Sequence, residues 1–181
     1  RMLSKMSRVL GLDDPYLARS EEIRAALLRN FVDADTGEVA GACQTSDGCV
    51  AFHHLLKPQE EARLMERLAE RIAQNGWHID YGILGSKYVL NMLGEYGRTD
   101  VIYKMLTRED YPGYLYWVDH GCTTLAECWN LGGSHNHYMF SDVSAVFYRY
   151  FAGIRPDGDI PAYRSFLLAP ALDLAIDTLS C

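Results

Sequence analysis

The stretch HIDYGILGSKYVLNMLGEYGRTDVIYKML, residues 78–106, contains two helix patterns separated by one short connection. The first pattern is helical from about Leu84 and ends at Gly97, a residue type that commonly follows the last turn of a helix. Thr99 is then predicted to cap a second helix, and Asp100 beside it favours the helix dipole. Two helices joined so closely predict an antiparallel αα-hairpin.

The segments on either side of this hairpin are also helical in pattern. Ser20 is predicted to cap the helix EEIRAALLRNFV, whose apolar residues form one stripe. Pro58 opens the periodic segment PQEEARLMERLAERIAQNG, and residues 142–154 form an amphipathic pattern. The chain is therefore predicted to be mainly α, with helical hairpins stacked in an arc or closed into a ring.

The pattern changes in the tail of the chain. Residues 163–169 and 171–179 have the composition of strands, and both follow a turn-rich sequence containing proline and glycine. We therefore expect a helical domain over residues 1–155 and a short β-prone segment over residues 156–181.

Composition and charge exclude several classes of function. The net charge is −7, and the 17 basic residues are dispersed among 24 acidic ones, which is unlike a nucleic-acid-binding surface. The apolar runs are also much shorter than the ~18 to 20 residues of a membrane span. A neutral, polyhydroxyl ligand fits this composition better, while the composition does not indicate a localisation.

The cysteines and histidines do not predict a metal site. The chain has 5 cysteines, an odd number without the spacing of a small disulfide scaffold, so reduced thiols are favoured although disulfides stay open. Cys122, Cys128, His135 and His137 have the spacing C-x5-C-x6-H-x-H, which differs from that of structural zinc sites. With no phosphate-binding glycine loop or dinucleotide fingerprint either, we expect no metal and no cofactor.

Residues 121–140, GCTTLAECWNLGGSHNHYMF, concentrate polar and aromatic groups beyond what a packing element needs. Glu127 stands among few other charges with Trp129 nearby, which makes it a candidate catalytic carboxylate, while a helix cap or a partner for an arginine is the alternative. Trp129 and Tyr114 are the aromatic residues expected to face a ligand, since a sugar packs well on a flat ring, although filling of the core is the alternative.

From Gln44 onward, the sequence resembles the catalytic domain of bacterial α-L-rhamnosidases, the inverting enzymes of glycoside hydrolase family 78. The resemblance rests on Gln44-Thr45, residues 78–106, the block YPGYLYWVDHGCTTLAECWN, SHNHYMFSDVSAVFYRYFAGIRPD and the following PAYRSFLLAP. It implies an (α/α)6 barrel of six helical hairpins followed by a β-sandwich. This chain would hold the later hairpins and the start of the sandwich.

The resemblance also implies roles for individual residues. Glu127 matches the family's general base, and His137 matches a histidine that contacts the sugar. His78 and Asp80, in the loop before a helix, are further candidate sugar contacts. The family's general acid lies in a stretch without a counterpart in residues 1–43, so we expect it upstream of this chain.

Two departures from the family bear on sugar preference. Where the family usually has Thr-Ile-Trp-Glu-Arg-Trp, this chain has Thr-Leu-Ala-Glu-Cys-Trp over residues 124–129, so an aromatic residue and an arginine are replaced. The family's Pro-Ser-Trp-Leu-Tyr is here Pro-Gly-Tyr-Leu-Tyr, which keeps an aromatic residue at Tyr114. A related sugar is therefore an alternative to rhamnose.

The sequence thus predicts part of an inverting glycoside hydrolase that removes terminal α-L-rhamnose or a related sugar. A carbohydrate-binding helical module without catalysis is the alternative from another class. Apolar helix faces left open by a partial barrel would be covered by the remainder of the parent chain or by a second copy.

Overall fold

The computed structural model describes residues 1–157, 160, 162–176 and 178. The helices are α1 (Met2–Val9), α2 (Tyr16–Phe31), α3 (Gln44–Phe52), α4 (Pro58–Gln74), α5 (Ile83–Glu95), α6 (Thr99–Leu106), α7 (Tyr114–Asp119) and α8 (Asp142–Val146). A two-stranded sheet contains β1 (Ile154–Pro156) and β2 (Phe166–Leu168). The described structure is mainly helical, as predicted from the sequence.

Helix α5 is the centre of the core and contacts α3, α4, α6 and α8. Its close packing with α3 depends on two glycines. A Cβ at Gly48 of α3 would lie 3.1 Å from a side-chain carbon of Val89, and one at Gly85 of α5 would lie 2.3 Å from Oγ1 of Thr45. Small residues at these positions therefore let the two helices approach closely.

Helix α4 covers one side of this core, and its predicted periodicity is confirmed. Leu64, Met65, Leu68 and Ile72 are all buried, while the opposite side of the helix carries charged residues. Pro58 is the first residue of the helix, where its missing N–H costs nothing. The apolar stripe of α4 thus joins the hairpin of α5 and α6 in one core.

Helix α2 begins earlier than predicted and is poorly covered. It starts at Tyr16, whose backbone N–H is accepted by Asp14 at 3.2 Å, so Ser20 lies inside the helix and does not cap it. None of its residues is buried, and Ile23, Leu27 and Phe31 are 36 to 53% exposed. The predicted apolar stripe therefore exists but is only partly covered.

The helix predicted over residues 142–154 is shorter and changes type. Helix α8 ends at Val146 and continues as one π-helical turn over Phe147–Phe151. The ring of Tyr150 in this turn lies against Gly94 of α5, where a Cβ would be 2.4 Å from the nearest ring carbon. The turn thus packs directly on the central helix.

The tail forms a hairpin that was only partly predicted. Strand β2 lies within the predicted strand at residues 163–169, and it pairs antiparallel with β1, with Arg155 opposite Leu167. Strand β1 was not predicted. The strand predicted over residues 171–179 is absent from residues 171–176 and 178, and residues 177 and 179 lie outside the described residues. The division into two domains near residue 156 stays a prediction.

Among the described residues, no helix combines the length and the apolar character that crossing a bilayer requires. Cys43, Cys49, Cys122 and Cys128 are free thiols, whereas Cys181 lies outside the described residues.

Candidate active site

Glu127 and His137 lie in a long loop between α7 and a short 3-10 turn, Tyr138–Phe140, that leads into α8. Two backbone hydrogen bonds join the arms of this loop. The N–H of Glu127 donates to the carbonyl of Ser134 at 2.8 Å, and that of His137 donates to the carbonyl of Leu125 at 2.9 Å. The hydroxyl of Thr124 donates to the carbonyl of His135 as a third link. The loop is therefore a bent hairpin that brings the two candidate residues together.

The carboxylate of Glu127 is held at one oxygen. Oε2 accepts the backbone N–H of Ser134 at 3.0 Å, and Nδ1 of His137 lies 4.0 Å from the same oxygen. The side chain of Glu127 is 43% exposed and that of His137 is 27% exposed. The structure thus places a carboxylate and an imidazole side by side at a partly open surface.

A cluster of aromatic side chains packs behind this loop. Trp117 and Trp129 stack with ring centroids 4.5 Å apart, and Tyr114 and Phe140 meet Trp129 at 5.1 and 4.4 Å. The indole N–H of Trp117 also donates to the carbonyl of Trp129 at 3.0 Å. Because the cluster is continuous with the core, it anchors the first arm of the loop.

Trp129 has a packing role in the protein itself. Its indole N–H donates to the backbone carbonyl of Tyr81 at 2.7 Å, and its ring is partly buried against the core. The polar end of the indole is therefore already bonded within the chain. Sugar stacking on the exposed part of this ring stays a prediction.

Tyr114 was predicted to face a ligand, and the structure corrects this orientation. The residue is only 9% exposed, and its ring meets Trp117 at 5.6 Å. Its hydroxyl lies 3.3 Å from the hydroxyl of Ser86 and donates to the carbonyl of Phe140 at 3.3 Å. Burial raises the pKa of Tyr114. The alternative stated for the aromatic residues, filling of the core, describes this tyrosine.

His78 joins the loop before α5 to the loop after α6. Its Nε2 lies 2.9 Å from Oδ2 of Asp110, and its Nδ1 lies 2.8 Å from the carbonyl oxygen of Asn75. Arg108 donates a hydrogen bond to each carboxylate oxygen of Asp110, at 2.7 and 2.6 Å. These hydrogen bonds hold the pKa of Asp110 well below its usual value. A sugar contact through His78 stays a prediction, since both ring nitrogens have partners in the chain.

Asp80 caps a helix that is distant in sequence. Its two carboxylate oxygens lie 3.1 and 3.3 Å from the backbone N–H of Gln44, the first residue of α3. The side chain of Gln44 returns the contact by donating to the carbonyl of His78 at 2.7 Å. Partial burial raises the pKa of Asp80, and the bond from Gln44 opposes this shift. A sugar contact through Asp80 likewise stays a prediction.

Three residues with structural roles at this site were missed by the sequence analysis. Ser134 supplies the N–H that Glu127 accepts, Gly133 passes close to the carboxylate, and the carbonyl of Tyr81 anchors Trp129. The glycine pair at residues 132–133 was the available signal, because adjacent glycines near a catalytic residue often mark a close backbone approach. The other two contacts use backbone atoms and leave no trace in residue type.

The Glu127 side chain is 43% exposed and lines neither of two grooves found among the described residues. A groove between α2 and α3, with a volume of about 510 Å³, is lined by other residues, including Arg24, Leu27 and His53. A second groove, beside residues 28–40, also lies away from Glu127. Within the described part of the chain, no three His, Cys, Asp or Glu side chains gather closely enough to hold a metal ion.

Comparison with known proteins agrees with this architecture. Residues 1–151 match the bacterial alpha-L-rhamnosidase 6 hairpin glycosidase domain. The alpha-L-rhamnosidase of Streptomyces avermitilis is 30% identical, and the alignment covers 93% of this chain and 17% of that protein. The alpha-L-rhamnosidase of Alteromonas sp. is 27% identical, with coverage of 87% and 18%. The chain therefore spans less than a fifth of the length of these relatives.

Solved structures give the same result. The S. avermitilis alpha-L-rhamnosidase complexed with L-rhamnose superimposes with a TM-score of 0.84 at 29% identity, covering 93% of this chain and 17% of that one. The alpha-L-rhamnosidase from Dictyoglumus thermophilum superimposes with a TM-score of 0.74 at 32% identity, with coverage of 85% and 18%. The fold of this chain is thus that of helical hairpins from a six-hairpin glycosidase domain. The chain belongs to the bacterial alpha-L-rhamnosidase six-hairpin glycosidase family.

Proposed function

We propose that the protein containing this chain is an inverting glycoside hydrolase that removes terminal α-L-rhamnose, with Glu127 as its general base. The observation that carries the proposal is the carboxylate of Glu127, 43% exposed and held at one oxygen by the N–H of Ser134. The similarity to an alpha-L-rhamnosidase complexed with L-rhamnose supports the substrate class.

The chemistry needs two carboxyl groups. In an inverting enzyme, the base takes a proton from water as the water oxygen attacks the anomeric carbon, and an acid protonates the leaving oxygen as the glycosidic bond breaks. The two groups stand about 6.5 to 9.5 Å apart to leave room for the water. We place the acid in a part of the enzyme outside these 181 residues, consistent with the small share of its relatives that the chain spans.

His137 is proposed to bind a sugar hydroxyl. Its Nδ1 lies 4.0 Å from the carboxylate of Glu127, so a hydroxyl bound by the imidazole would lie close to the attacking water. An imidazole can donate or accept a hydrogen bond, which suits a hydroxyl group in either role. The imidazole ring lies nearly parallel to the ring of Tyr138, with an interplanar angle of 12° and the ring centroids 6.2 Å apart.

The exposed face of α2 is proposed to be covered by the remainder of the longer protein. Ile23, Leu27 and Phe31 leave an apolar stripe open, and the relatives are several times longer than this chain. Light scattering on the complete protein tests this cover: a monomer supports it, whereas a dimer abolished by Leu27→Glu assigns the face to a second copy.

Turnover of an aryl α-L-rhamnoside by the complete protein tests the function. Glu127→Gln should lower kcat by about a hundred- to ten-thousand-fold, the range expected for loss of a general base. Glu70→Gln changes an exposed glutamate on α4 and is the matched control. Proton NMR of the first product should show β-L-rhamnose, the inverted anomer.

Three outcomes would contradict the proposal in different ways. Full turnover by Glu127→Gln would remove its catalytic role. Rhamnose binding without turnover in the wild-type protein would favour a carbohydrate-binding module. Faster cleavage of another aryl glycoside than of the rhamnoside would show that the enzyme prefers a different sugar, with the mechanism unchanged.

A further inference from the structure

The backbone at Gly133 and Ser134 fits closely around the carboxylate of Glu127. Glu127 donates its own N–H to the carbonyl of Ser134 at 2.8 Å, and Ser134 returns its N–H to Oε2 of Glu127 at 3.0 Å. This reciprocal pair fixes both the main chain and one carboxylate oxygen of Glu127. Within the described part of the chain, Oε1 has no hydrogen-bond partner, so it is the oxygen left for water.

Gly133 lies where any side chain would displace this carboxylate. Its φ of +76° belongs to the left-handed region, and a Cβ there would lie 2.5 Å from Oε2 of Glu127. The next nearest atoms, at 3.1 and 3.4 Å, are Cδ and Cβ of the same glutamate. The clash would therefore fall on the end of one flexible side chain, which can swing away while the surrounding fold stays in place.

We propose that Gly133 and the backbone N–H of Ser134 are positioning elements for the general base. They hold Oε2 so that Oε1 faces the water that attacks the sugar. This inference rests on the proposed function, because it assigns the machinery that orients Glu127. It predicts that a methyl group at residue 133 impairs the chemical step more than it impairs folding or substrate binding.

A purely structural glycine is the competing explanation, and the chain offers a matched control. Gly97 also has φ in the left-handed region, at +70°, but a Cβ there would meet no atom within 4 Å. Gly97→Ala therefore places alanine at a similar positive φ without touching Glu127. A difference in kcat between the two variants isolates the contact with the carboxylate.

The test measures kcat and KM of the complete protein on an aryl α-L-rhamnoside. Gly133→Ala should lower kcat by about a hundredfold, as expected for a catalytic group displaced by about 1 Å, while KM changes little. Gly97→Ala should keep kcat within about twofold of the wild type, because it shares only the backbone strain. Equal losses of kcat in the two variants would overturn the positioning role.

A second variant removes the N–H alone. Replacing the amide at residue 134 by an ester, through incorporation of the α-hydroxy acid, keeps the shape of the chain and deletes the donor to Oε2. The ester variant should lower kcat while KM changes little, because Oε2 loses the donor that holds the carboxylate in place. An unchanged kcat in the ester variant overturns the inference even if Gly133→Ala fails to fold.

The failure of this inference can be distinguished from failure of the proposed function. If Glu127→Gln abolishes turnover but Gly133→Ala and the ester variant behave like the wild type, the general base stands and the positioning role is wrong. If Glu127→Gln keeps full turnover, the base itself is wrong and the positioning role falls with it.

Discussion

The indole N–H of Trp129 donates to the backbone carbonyl of Tyr81 at 2.7 Å, across 48 residues of sequence. This bond ties the loop that carries Glu127 to the start of the central helix α5. The hydrogen bond from the indole N–H of Trp129 therefore helps to hold the loop on which the candidate base lies.

Trp129→Phe should lower the free energy of unfolding by about 1 to 3 kcal/mol, because it leaves the carbonyl of Tyr81 without its donor. Urea denaturation measures the change. Trp77→Phe is the control, because Trp77 contacts Lys104 through the face of its ring, and phenylalanine keeps such a face. Nζ of Lys104 lies 4.1 Å from the ring centroid of Trp77. If Trp129 served only as a surface for sugar stacking, Trp129→Phe would instead raise KM and leave the stability unchanged.

His137→Ala should lower kcat/KM on an aryl rhamnoside by roughly three- to tenfold, the loss expected for one hydrogen bond of about 0.5 to 1.5 kcal/mol. His137→Gln, which keeps donor and acceptor groups, should recover part of this loss. His120→Ala changes an exposed histidine at the end of α7 and should have little effect. Equal effects at His137 and His120 would argue against a sugar contact.

The helical architecture could be predicted because it depends on local patterns. The stripe of α4 and the break at Gly97 follow from residue spacing alone, and both agree with the structure. The start of α2 differs from the prediction: the helix begins at Tyr16, four residues before Ser20, and it has no side-chain cap. Ser20 has the residue type of an N-cap but lies inside the helix, because residue type alone does not decide where a helix begins.

The roles of individual site residues were harder to predict because they depend on distant segments. Asp80 caps α3, and His78 bonds to Asp110, contacts that only the folded chain brings together. Tyr114 has the residue type of a sugar-stacking surface, but the packing of its neighbours buries it. Residue type therefore indicated the region of the site, and tertiary packing decided which side chains are available to a ligand.

Gly94→Ala should destabilise the protein, although alanine is the better helix former. Overpacking against the ring of Tyr150, 2.4 Å from the added Cβ, should cost about 1 to 3 kcal/mol. Most of this range exceeds the ~1 kcal/mol that alanine gains over glycine inside a helix. Urea denaturation gives the sign, and a net gain in stability would show that the π-helical turn moves freely away from α5.

Asp47 on α3 is a buried carboxylate whose charge the fold only partly compensates. Oδ2 accepts a hydrogen bond from Arg71 of α4 at 2.6 Å, while Oδ1 is buried without a partner among the described residues. Burial raises the pKa of Asp47 to about 6, against the opposing influence of Arg71 and Arg67. The folded state therefore binds a proton here more tightly than the unfolded chain does.

The free energy of unfolding should consequently fall as the pH rises from about 4 to about 6. In this range the unfolded chain releases the proton of Asp47, whereas the folded state still holds it because burial disfavours the charged carboxylate. A shift of about two pH units corresponds to about 3 kcal/mol at most. Asp47→Asn should remove this slope, as measured by urea denaturation at several pH values. Asp110→Asn is the control of opposite sign: Arg108 and His78 lower the pKa of Asp110, so its contribution to stability is lost on acidification. An unchanged slope in Asp47→Asn would mean that Arg71 fully compensates the buried charge.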